Sequence, residues 1–309
     1  MKATEKLDVR EIRRKLGMNQ QQFWSRLGVT QSGGSRYESG RNIPRPVQQL
    51  LRLVHVEQID IAKIKPLCEW LLLNGIQGVF ICGTTGEGPY LSSQEKIVVL
   101  EETLRCLHGR ARVIMQVGCG DLPGTLATAK AAVQMNADAI SLLQPWFFRC
   151  DEEAQFTYIA RVAEAVGDNP LYLYNLPQNT GNDLKPVTLE RLLKRFHNIR
   201  GIKESGEEGA LQRWLPYKSD QFQIICGNDT QVSRSLQAGG KAIVSSTANV
   251  QPKMFLELLA AVQAGDTETA LQCQQQINRY VDLIVHANLI AHLKASLWLL
   301  GIDAGSMRP

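Results

Sequence analysis

The sequence predicts an α/β protein of the (β/α)8 TIM-barrel class with a small all-α domain at its N-terminus. From about residue 60, short apolar segments alternate with amphipathic segments of helical period, as they do in parallel βα units. The 309 residues leave room for a barrel of about 250 residues and one small domain. We therefore expect a helical domain over residues 1–57 and a barrel over residues 58–309.

Capping residues divide the N-terminal domain into four short helices. The predicted helices are Leu7–Leu16, Gln20–Leu27, a third from about Thr30 to Ser39, and Val47–Val56. Asn19 and Thr30 are suited to cap the second and third helices, and a glycine follows each of the first three. Pro44 and Pro46 predict an extended link before the fourth helix.

Seven strands and the helices between them follow in alternation. The predicted strands are Gly78–Cys82, Arg112–Val117, Ala139–Leu143, Leu171–Asn175, Gly201–Lys203, Gln223–Cys226 and Ala242–Ser246. The predicted helices are 61–74, Ser93–Leu107, Thr125–Met135, Glu152–Val166, Thr188–Phe196, Gly209–Leu215, Thr230–Ala238 and others further on. Short strands at such even spacing favour a barrel over an open sheet.

Charge and composition restrict the partners. Residues 1–57 contain 11 Lys and Arg against 5 Asp and Glu, whereas the remainder contains 23 against 25, so the N-terminal domain is suited to a polyanionic partner. No segment approaches the roughly 18 apolar residues of a membrane span, and the N-terminus does not resemble a signal peptide. The seven cysteines are scattered without metal-binding spacing. We expect a cytoplasmic protein that binds no membrane and no metal.

Lys203 is the first candidate catalytic residue. Reactive side chains of a (β/α)8 barrel lie at the C-terminal ends of its strands, and Lys203 ends a predicted buried strand. Desolvation favours a neutral amine, which can attack a carbonyl carbon. The alternative is a structural lysine paired with a carboxylate such as Glu204, and position alone leaves both interpretations open.

Tyr174 lies at the end of another predicted strand, and the turn Gly83–Gly88 follows a third. A phenol near an imine can relay protons, but a tyrosine that only bonds to a barrel neighbour would occupy the same position. The hydroxyls and N–H groups of Thr84 and Thr85 suit a carboxylate or a developing oxyanion. A tight turn with no ligand is the alternative for this segment.

The motifs at these strand ends, in this order, resemble those of one family. The chain contains GTTGEGPYLS, YNLP followed by TG, GIKES, CGND and GGKAIVSSTANV. From about Asp60 to the C-terminus it therefore resembles the dihydrodipicolinate synthase / N-acetylneuraminate lyase family. The resemblance implies a carbon–carbon lyase, a class I aldolase, that forms a Schiff base with pyruvate or another 2-keto acid and uses no metal or organic cofactor.

The resemblance also implies roles for individual residues. It implies that Lys203 forms the Schiff base and that Tyr174 shuttles protons. It assigns binding of the keto-acid carboxylate to Thr84 and Thr85. The further substrate contacts implied for the turn and the pyruvate pocket are Gly86, Glu87 and Val244.

Two departures from the family pattern bear on the substrate. Lysine-pathway synthases of this family carry a second tyrosine where this chain has Pro145-Trp146-Phe147-Phe148, and an arginine where it has Asn179. A missing guanidinium removes a bidentate carboxylate clamp. We therefore expect Asn179 to contact a 2-keto-3-deoxy sugar acid or a similar hydroxy-keto acid. Activity as a 4-hydroxy-tetrahydrodipicolinate synthase is the alternative.

The barrel is expected to be incomplete. Family members begin with a strand before the helix predicted at 61–74, and they continue through further helices beyond the position of Met307-Arg308-Pro309. No such strand is recognisable in this sequence. An incomplete barrel exposes a sheet edge and apolar helix faces.

Residues 19–46 resemble the helix-turn-helix of phage-repressor-type regulators. The matching positions are Gln20, Gly28, the run Ser35–Glu38, Gly40 and Pro44. In such folds the second helix enters the major groove of double-stranded DNA. The resemblance implies base contacts by Gln31, Ser32 and Arg36 and phosphate contacts by Gln20 and Arg41.

Three interpretations of the whole chain remain open. The first is an aldolase with an attached DNA-binding domain, and the second is a regulator whose barrel senses a keto acid or is inactive. The third is an accidental join of two unrelated segments near residues 57–60. Gly33 and Gly34 weaken a recognition helix, so a helical bundle or a protein-binding module is the alternative for the N-terminal domain. A homo-oligomer is expected, because helix-turn-helix domains gain specificity as dimers.

Overall fold

The computed structural model describes residues 8–15, 17–51, 60–285 and 288–308. The chain divides into two units, Met1–Ile59 and Asp60–Pro309, each with its own hydrophobic core. Along the described residues, no helix is long and apolar enough to cross a membrane.

The first unit consists of short helices, as predicted. They are α1 (Val9–Lys15), α2 (Gln20–Ser25), α3 (Gln31–Glu38) and α4 (Arg45–Leu51). The predicted caps are confirmed, because the Asn19 side chain accepts from the Gln22 N–H and that of Thr30 from the Gly33 N–H. The expected extended link at Pro44 and Pro46 is wrong, since α4 begins at Arg45 and a proline is tolerated in a first helical turn. Positions 7, 16 and 52–56 of the predicted helices lie outside the described residues.

A small core and one carboxylate hold this unit together. Phe23 and Trp24 are fully buried. The Glu38 carboxylate accepts from Arg13 Nε at 2.7 Å, from Gln20 Nε2 at 3.0 Å and from Trp24 Nε1 at 3.0 Å. Burial acts to raise the pKa of Glu38, but these three donors outweigh it and lower the pKa to about 2.

The second unit is built on one parallel sheet whose strand order follows the chain order. All seven predicted strands are confirmed. They are β1 (Gly78–Ile81), β2 (Arg112–Gln116), β3 (Ala139–Leu143), β4 (Leu171–Asn175), β5 (Ile199–Glu204), β6 (Gln223–Cys226) and β7 (Ala242–Ile243). The seventh strand is shorter than predicted, because its ladder with β6 ends at Ile243 rather than at Ser246.

Helices connect the strands and follow the last one. They are α5 (Ile64–Leu73), α6 (Ser93–Leu107), α7 (Leu122–Gln134), α8 (Glu152–Val166), α9 (Pro177–Thr180), α10 (Pro186–Arg195), α11 (Val232–Gln237), α12 (Pro252–Ala264), α13 (Thr267–Val285) and α14 (Leu289–Leu299). At the predicted helix Gly209–Leu215 the structure has a 3-10 helix, Ala210–Tyr217, that contains Pro216. Proline lacks the N–H that would continue an α-helix.

The sheet has one open side. Within the described strands, β1 pairs only with β2 and β7 only with β6, so the seven strands form a curled half-barrel. Among the described residues, side chains bridge this side. Trp70 on α5 donates to the Asn249 carbonyl at 2.9 Å, and it packs against a cluster that includes Leu293 and Leu297 of α14.

The two faces of each strand have different roles. Ile202 belongs to the core between the sheet and the helices, and its neighbour Lys203 points to the other face, because successive strand residues alternate. The same alternation places Leu173 in the core and Tyr174 on the inner face. The C-terminal strand ends therefore gather polar side chains at the mouth of the half-barrel.

Candidate active site

Lys203 lies near the centre of the mouth. Register aligns it with Tyr174 on β4 and Ile225 on β6. The side chain is buried, with 5% of the residue exposed. Its Nζ lies 3.0 Å from Ser205 Oγ and 3.7 Å from the centroid of the Tyr174 ring. Hydroxyls and ring faces thus surround this amine.

Glu204, the carboxylate considered as a partner for Lys203, is engaged elsewhere. It lies on the opposite face of β5, where its carboxylate accepts from Arg213 at 3.1 Å and from Trp214 Nε1 at 2.5 Å. Asn175 donates to the same carboxylate at 3.0 Å. This buried network fixes the end of β5 and leaves the Lys203 amine facing the mouth.

Tyr174 and Thr84 form a hydrogen-bonded pair beside the amine. Their hydroxyl oxygens are 3.1 Å apart, and Tyr174 is buried. Burial acts to raise the pKa of Tyr174, but the charge of Lys203 and hydrogen bonds from Thr84, Lys203 and Ser205 outweigh it, so the pKa lies below its usual value of 10.0. A phenol whose pKa is lowered is a better proton donor, and its phenolate, which can accept a proton, forms more readily.

The turn after β1 is closely packed. A Cβ at Gly88 would lie 1.9 Å from the Cys82 carbonyl oxygen, so only glycine fits there. Thr85 places its hydroxyl 2.5 Å from that of Ser246, which follows β7. Gly86 is exposed at the tip of the turn.

Glu87 fastens the turn to the C-terminal segment. Its backbone is left-handed, with φ 54°. Its carboxylate accepts from Lys294 Nζ at 2.5 Å and from the Arg308 N–H at 2.9 Å. In the structure Glu87 supports the turn through these two residues.

Two further predicted contact residues are placed by backbone hydrogen bonds. Val244 continues the direction of β7, with its N–H bonded to the Cys226 carbonyl. Asn179 is exposed in α9, with its N–H bonded to the Leu176 carbonyl. Both roles remain predictions.

Sequence reasoning assigned no role to three polar residues of the mouth: Ser205, Asp229 and Ser246. Ser205 contacts the Lys203 amine and could have been found, since it lies two residues further along the same strand direction. Asp229 accepts from the Thr247 N–H at 3.4 Å. Burial raises its pKa above the usual value, although hydrogen bonds from Thr247 and Ser245 act in the opposite direction.

The stretch that lacks the second tyrosine projects outward. Phe147 is 86% exposed and Phe148 74%, and their rings pack edge to face with centroids 4.9 Å apart. Trp146 instead packs against the cluster of Leu143 and Tyr174. This stretch contains no hydroxyl side chain that could join Tyr174 in a proton relay.

No metal site is evident in the part of the chain that the structure describes, because no group of three or more His, Cys, Asp or Glu side chains there could hold an ion. The polar atoms nearest the Lys203 amine are hydroxyls, which suit an organic carboxylate better than a divalent cation.

The predicted DNA contacts lie on the surface of the first unit. Gln31, Ser32 and Arg36 of α3 are exposed, and so is Arg41 beyond it. Gln20 differs, because its side-chain amide donates to Glu38 inside the unit. The role of Gln20 at a phosphate is thus the least supported of the five.

Two family models match the chain. Residues 53–309 match the dihydrodipicolinate synthetase family, and residues 10–54 match an RsaL-like HTH domain. The two matches together span the chain from residue 10 to its end.

Individual proteins of known name resemble the second unit. The 4-hydroxy-tetrahydrodipicolinate synthase of Bacillus subtilis is 30% identical over 251 residues, which are 81% of this chain and 86% of that one. The sialic acid aldolase structure of Ruminococcus gnavus is 25% identical with a TM-score of 0.78, covering 81% of this chain and 84% of that one. The KD(P)GA structure from T. tenax is 29% identical with a TM-score of 0.74, covering 81% and 86%.

Proposed function

Because the chain belongs to the dihydrodipicolinate synthetase family, we propose that it is a Schiff-base lyase that cleaves or forms a carbon–carbon bond next to a 2-keto acid. One observation carries the proposal: the buried Lys203 amine lies against Tyr174, whose hydroxyl is bonded to Thr84. This arrangement supplies a nucleophile and a proton relay within one hydrogen-bonded group.

Schiff-base formation uses these groups in sequence. Lys203 passes a proton to Tyr174, its neutral amine attacks C2 of the keto acid, and Tyr174 donates that proton to the developing alkoxide. The carbinolamine then loses water and leaves an iminium ion. In this step Tyr174, held by its hydrogen bond with Thr84, takes a proton from the nitrogen of the adduct and gives it to the departing hydroxyl, so that water leaves and Tyr174 is a phenolate beside the iminium ion. The Thr85 hydroxyl binds the keto-acid carboxylate.

Bond cleavage follows from the iminium ion. Tyr174 removes the proton of the C4 hydroxyl, the C3–C4 electrons move into the iminium, and an aldehyde leaves. The remaining enamine takes a proton at C3, and water hydrolyses the new iminium to release pyruvate and the free Lys203 amine. The lowered pKa of Tyr174 assists the first of these steps, because it favours the phenolate.

The aldehyde partner is proposed to be polyhydroxylated. Ser205, Ser245 and Thr247 bring hydroxyls to the mouth, and these can bond to substrate hydroxyls. At position 179 the chain has an amide where a carboxylate-binding synthase would need a guanidinium. A 2-keto-3-deoxy sugar acid therefore fits better than aspartate semialdehyde.

Borohydride trapping with pyruvate tests the enzyme proposal. Reduction of the imine should add one pyruvate-derived group, located on Lys203 by peptide mass spectrometry. Lys203→Ala should abolish the adduct, whereas the exposed Lys130→Ala should leave it unchanged. Equal labelling of the Lys203→Ala protein would eliminate this lysine as the nucleophile.

We further propose that the first unit binds double-stranded DNA. The match to an RsaL-like HTH domain and the exposure of Gln31 and Arg36 on α3 support it. Base contacts specify a site, whereas phosphate contacts add affinity that depends on salt. A homo-oligomer in the cytoplasm is part of this proposal, since paired half-sites require two copies and the free cysteines suit a reducing compartment.

Selection of preferred sites from random duplexes tests DNA binding. Arg36→Ala should weaken binding to the selected site and relax base preference at one position, at a cost of about 1–3 kcal/mol. Lys130→Ala, the same loss of charge in the other unit, is the matched control. Identical affinity and base preference for the Arg36→Ala and wild-type proteins would contradict the groove assignment.

A further inference from the structure

The open side of the half-barrel is bridged at the mouth by two hydroxyls. Thr85 follows β1 and Ser246 follows β7, the two strands at the edges of the sheet, and their hydroxyl oxygens are 2.5 Å apart. We propose that Ser246 is a positioning residue: its hydroxyl donates to Thr85 and thereby directs the Thr85 proton toward the carboxylate of the bound keto acid. The inference rests on the proposed function, because it concerns the carboxylate anchor of the same site.

The direction of this hydrogen bond decides whether Thr85 can serve the substrate. A hydroxyl has one proton to donate and two lone pairs to accept with. If Thr85 donated to Ser246, no proton would remain for the carboxylate. With Ser246 as the donor, the Thr85 proton stays available for a charge-assisted bond, and the accepted bond polarises the Thr85 O–H and strengthens it as a donor.

Ser246 is itself held by the bridge across the open side. Asn249 Nδ2 donates to the Ser246 carbonyl at 2.9 Å, and Trp70 Nε1 donates to the Asn249 carbonyl at 2.9 Å. A chain of hydrogen bonds thus runs from α5 through the turn after β7 to Thr85. Within the described residues, these hydrogen bonds link the segments that follow the two edge strands, β1 and β7.

Ser246→Ala tests this role through pyruvate affinity. Loss of one neutral hydrogen bond should raise the half-saturating pyruvate concentration in borohydride trapping about three- to tenfold. The maximal trapping rate should stay within about twofold of the wild-type rate, because Lys203 is unchanged. Ser246→Thr, which keeps the donor, should restore the wild-type value. A merely structural loss would lower the amount of active protein and leave the half-saturating concentration in place.

A double-mutant cycle shows whether Ser246 acts through Thr85. Ser246→Ala added to Thr85→Val should cause no further change, because the acceptor is already gone. The same increase in both backgrounds, or none in the single variant, would overturn the inference. The dissociation constant of pyruvate, measured by calorimetry in Lys203→Ala with and without Ser246→Ala, gives a readout without the covalent step. A wild-type protein that forms no adduct would therefore refute the proposed function, while the calorimetric comparison still decides the role of Ser246.

Discussion

At the scale of single residues, the candidate site depends on how neighbours set the protonation of Tyr174. The phenol is buried, which favours its neutral form, yet the charge of the adjacent Lys203 and hydrogen bonds from Lys203, Thr84 and Ser205 favour the phenolate. Electrostatic contacts outweigh desolvation here because Lys203 Nζ lies only 3.7 Å from the ring.

Thr84→Val should raise the pKa of Tyr174. The Thr84 hydroxyl stabilises the phenolate, so its loss favours the protonated phenol. In a pH–rate profile, the part that depends on the Tyr174 phenolate should therefore move to higher pH. Titration by ultraviolet difference absorbance, with Tyr174→Phe as the reference, measures the shift. Thr85→Val is the matched control, because its hydroxyl bonds to Ser246 instead. Equal pKa values for Tyr174 in the two valine variants would contradict the assigned hydrogen bond.

The sequence predicted which residues form the candidate site only where their position at a strand end indicated a chemical role. Lys203 and Tyr174 were singled out because both end predicted strands. Ser246 was not, since its contact lies 161 residues away in the sequence and depends on the curvature of the sheet. Because Thr85 and Ser246 both lie in loops, no periodic pattern in the sequence predicts that their hydroxyls are in contact.

At the scale of elements, α3 shows how tertiary packing outweighs helix propensity. Gly33 and Gly34 weaken a helix by about 1 kcal/mol each relative to alanine, and the sequence offered no reason for them. A Cβ on Gly34 would lie 2.1 Å from the Trp24 ring, so this glycine is what allows α3 to pack against α2. The nearest atoms to a Cβ on Gly33 are 3.2 Å away.

Gly34→Ala should therefore destabilise the first unit, whereas Gly33→Ala should have little effect. Overpacking typically costs about 1–3 kcal/mol, which exceeds the gain of about 1 kcal/mol in helix propensity. Hydrogen exchange of peptides covering residues 20–40, followed by mass spectrometry, measures the free energy of opening. Similar protection of both alanine variants would show that α3 does not pack closely against Trp24.

The strands were predicted well because continuous apolar segments bounded by turn residues are typical of buried parallel strands. The apolar period predicted a helix at Gly209–Leu215 but not its type, because the 3-10 helix found at Ala210–Tyr217 has a period similar to that of an α-helix. The end of β7 was misplaced because Val244 and the serines after it read as strand, while the ladder with β6 stops at Ile243.

At the scale of the whole second unit, the C-terminal segment supports the mouth. Lys294 and Arg308 both bind the Glu87 carboxylate, and Lys294 Nζ also donates to the Ser306 carbonyl at 2.8 Å. The turn with Thr84 and Thr85 is thus held by residues that lie more than 200 positions away in the sequence. The family resemblance predicted a role for Glu87 but not these partners.

Lys294→Met should loosen this turn. Removing the ammonium leaves the Glu87 carboxylate largely buried without its closest cation, a change that typically costs about 3–5 kcal/mol when the pair is fully buried. We expect faster hydrogen exchange of residues 83–88 and slower trapping of pyruvate. Lys253→Met, at an exposed position on α12, is the control. Unchanged exchange in the turn would show that the C-terminal segment does not support it.

The strand order has a consequence for folding during translation. Each strand of this sheet pairs with the one synthesised just before it, so the sheet can grow strand by strand as the chain emerges. The hydrogen bond between Glu87 and Arg308 forms only after the 221 residues that separate them have been synthesised. At the usual rates of translation this synthesis takes roughly 10 to 45 s. In a nascent chain the sheet would therefore form before the turn with Thr84 and Thr85 gains its hydrogen bond to Arg308.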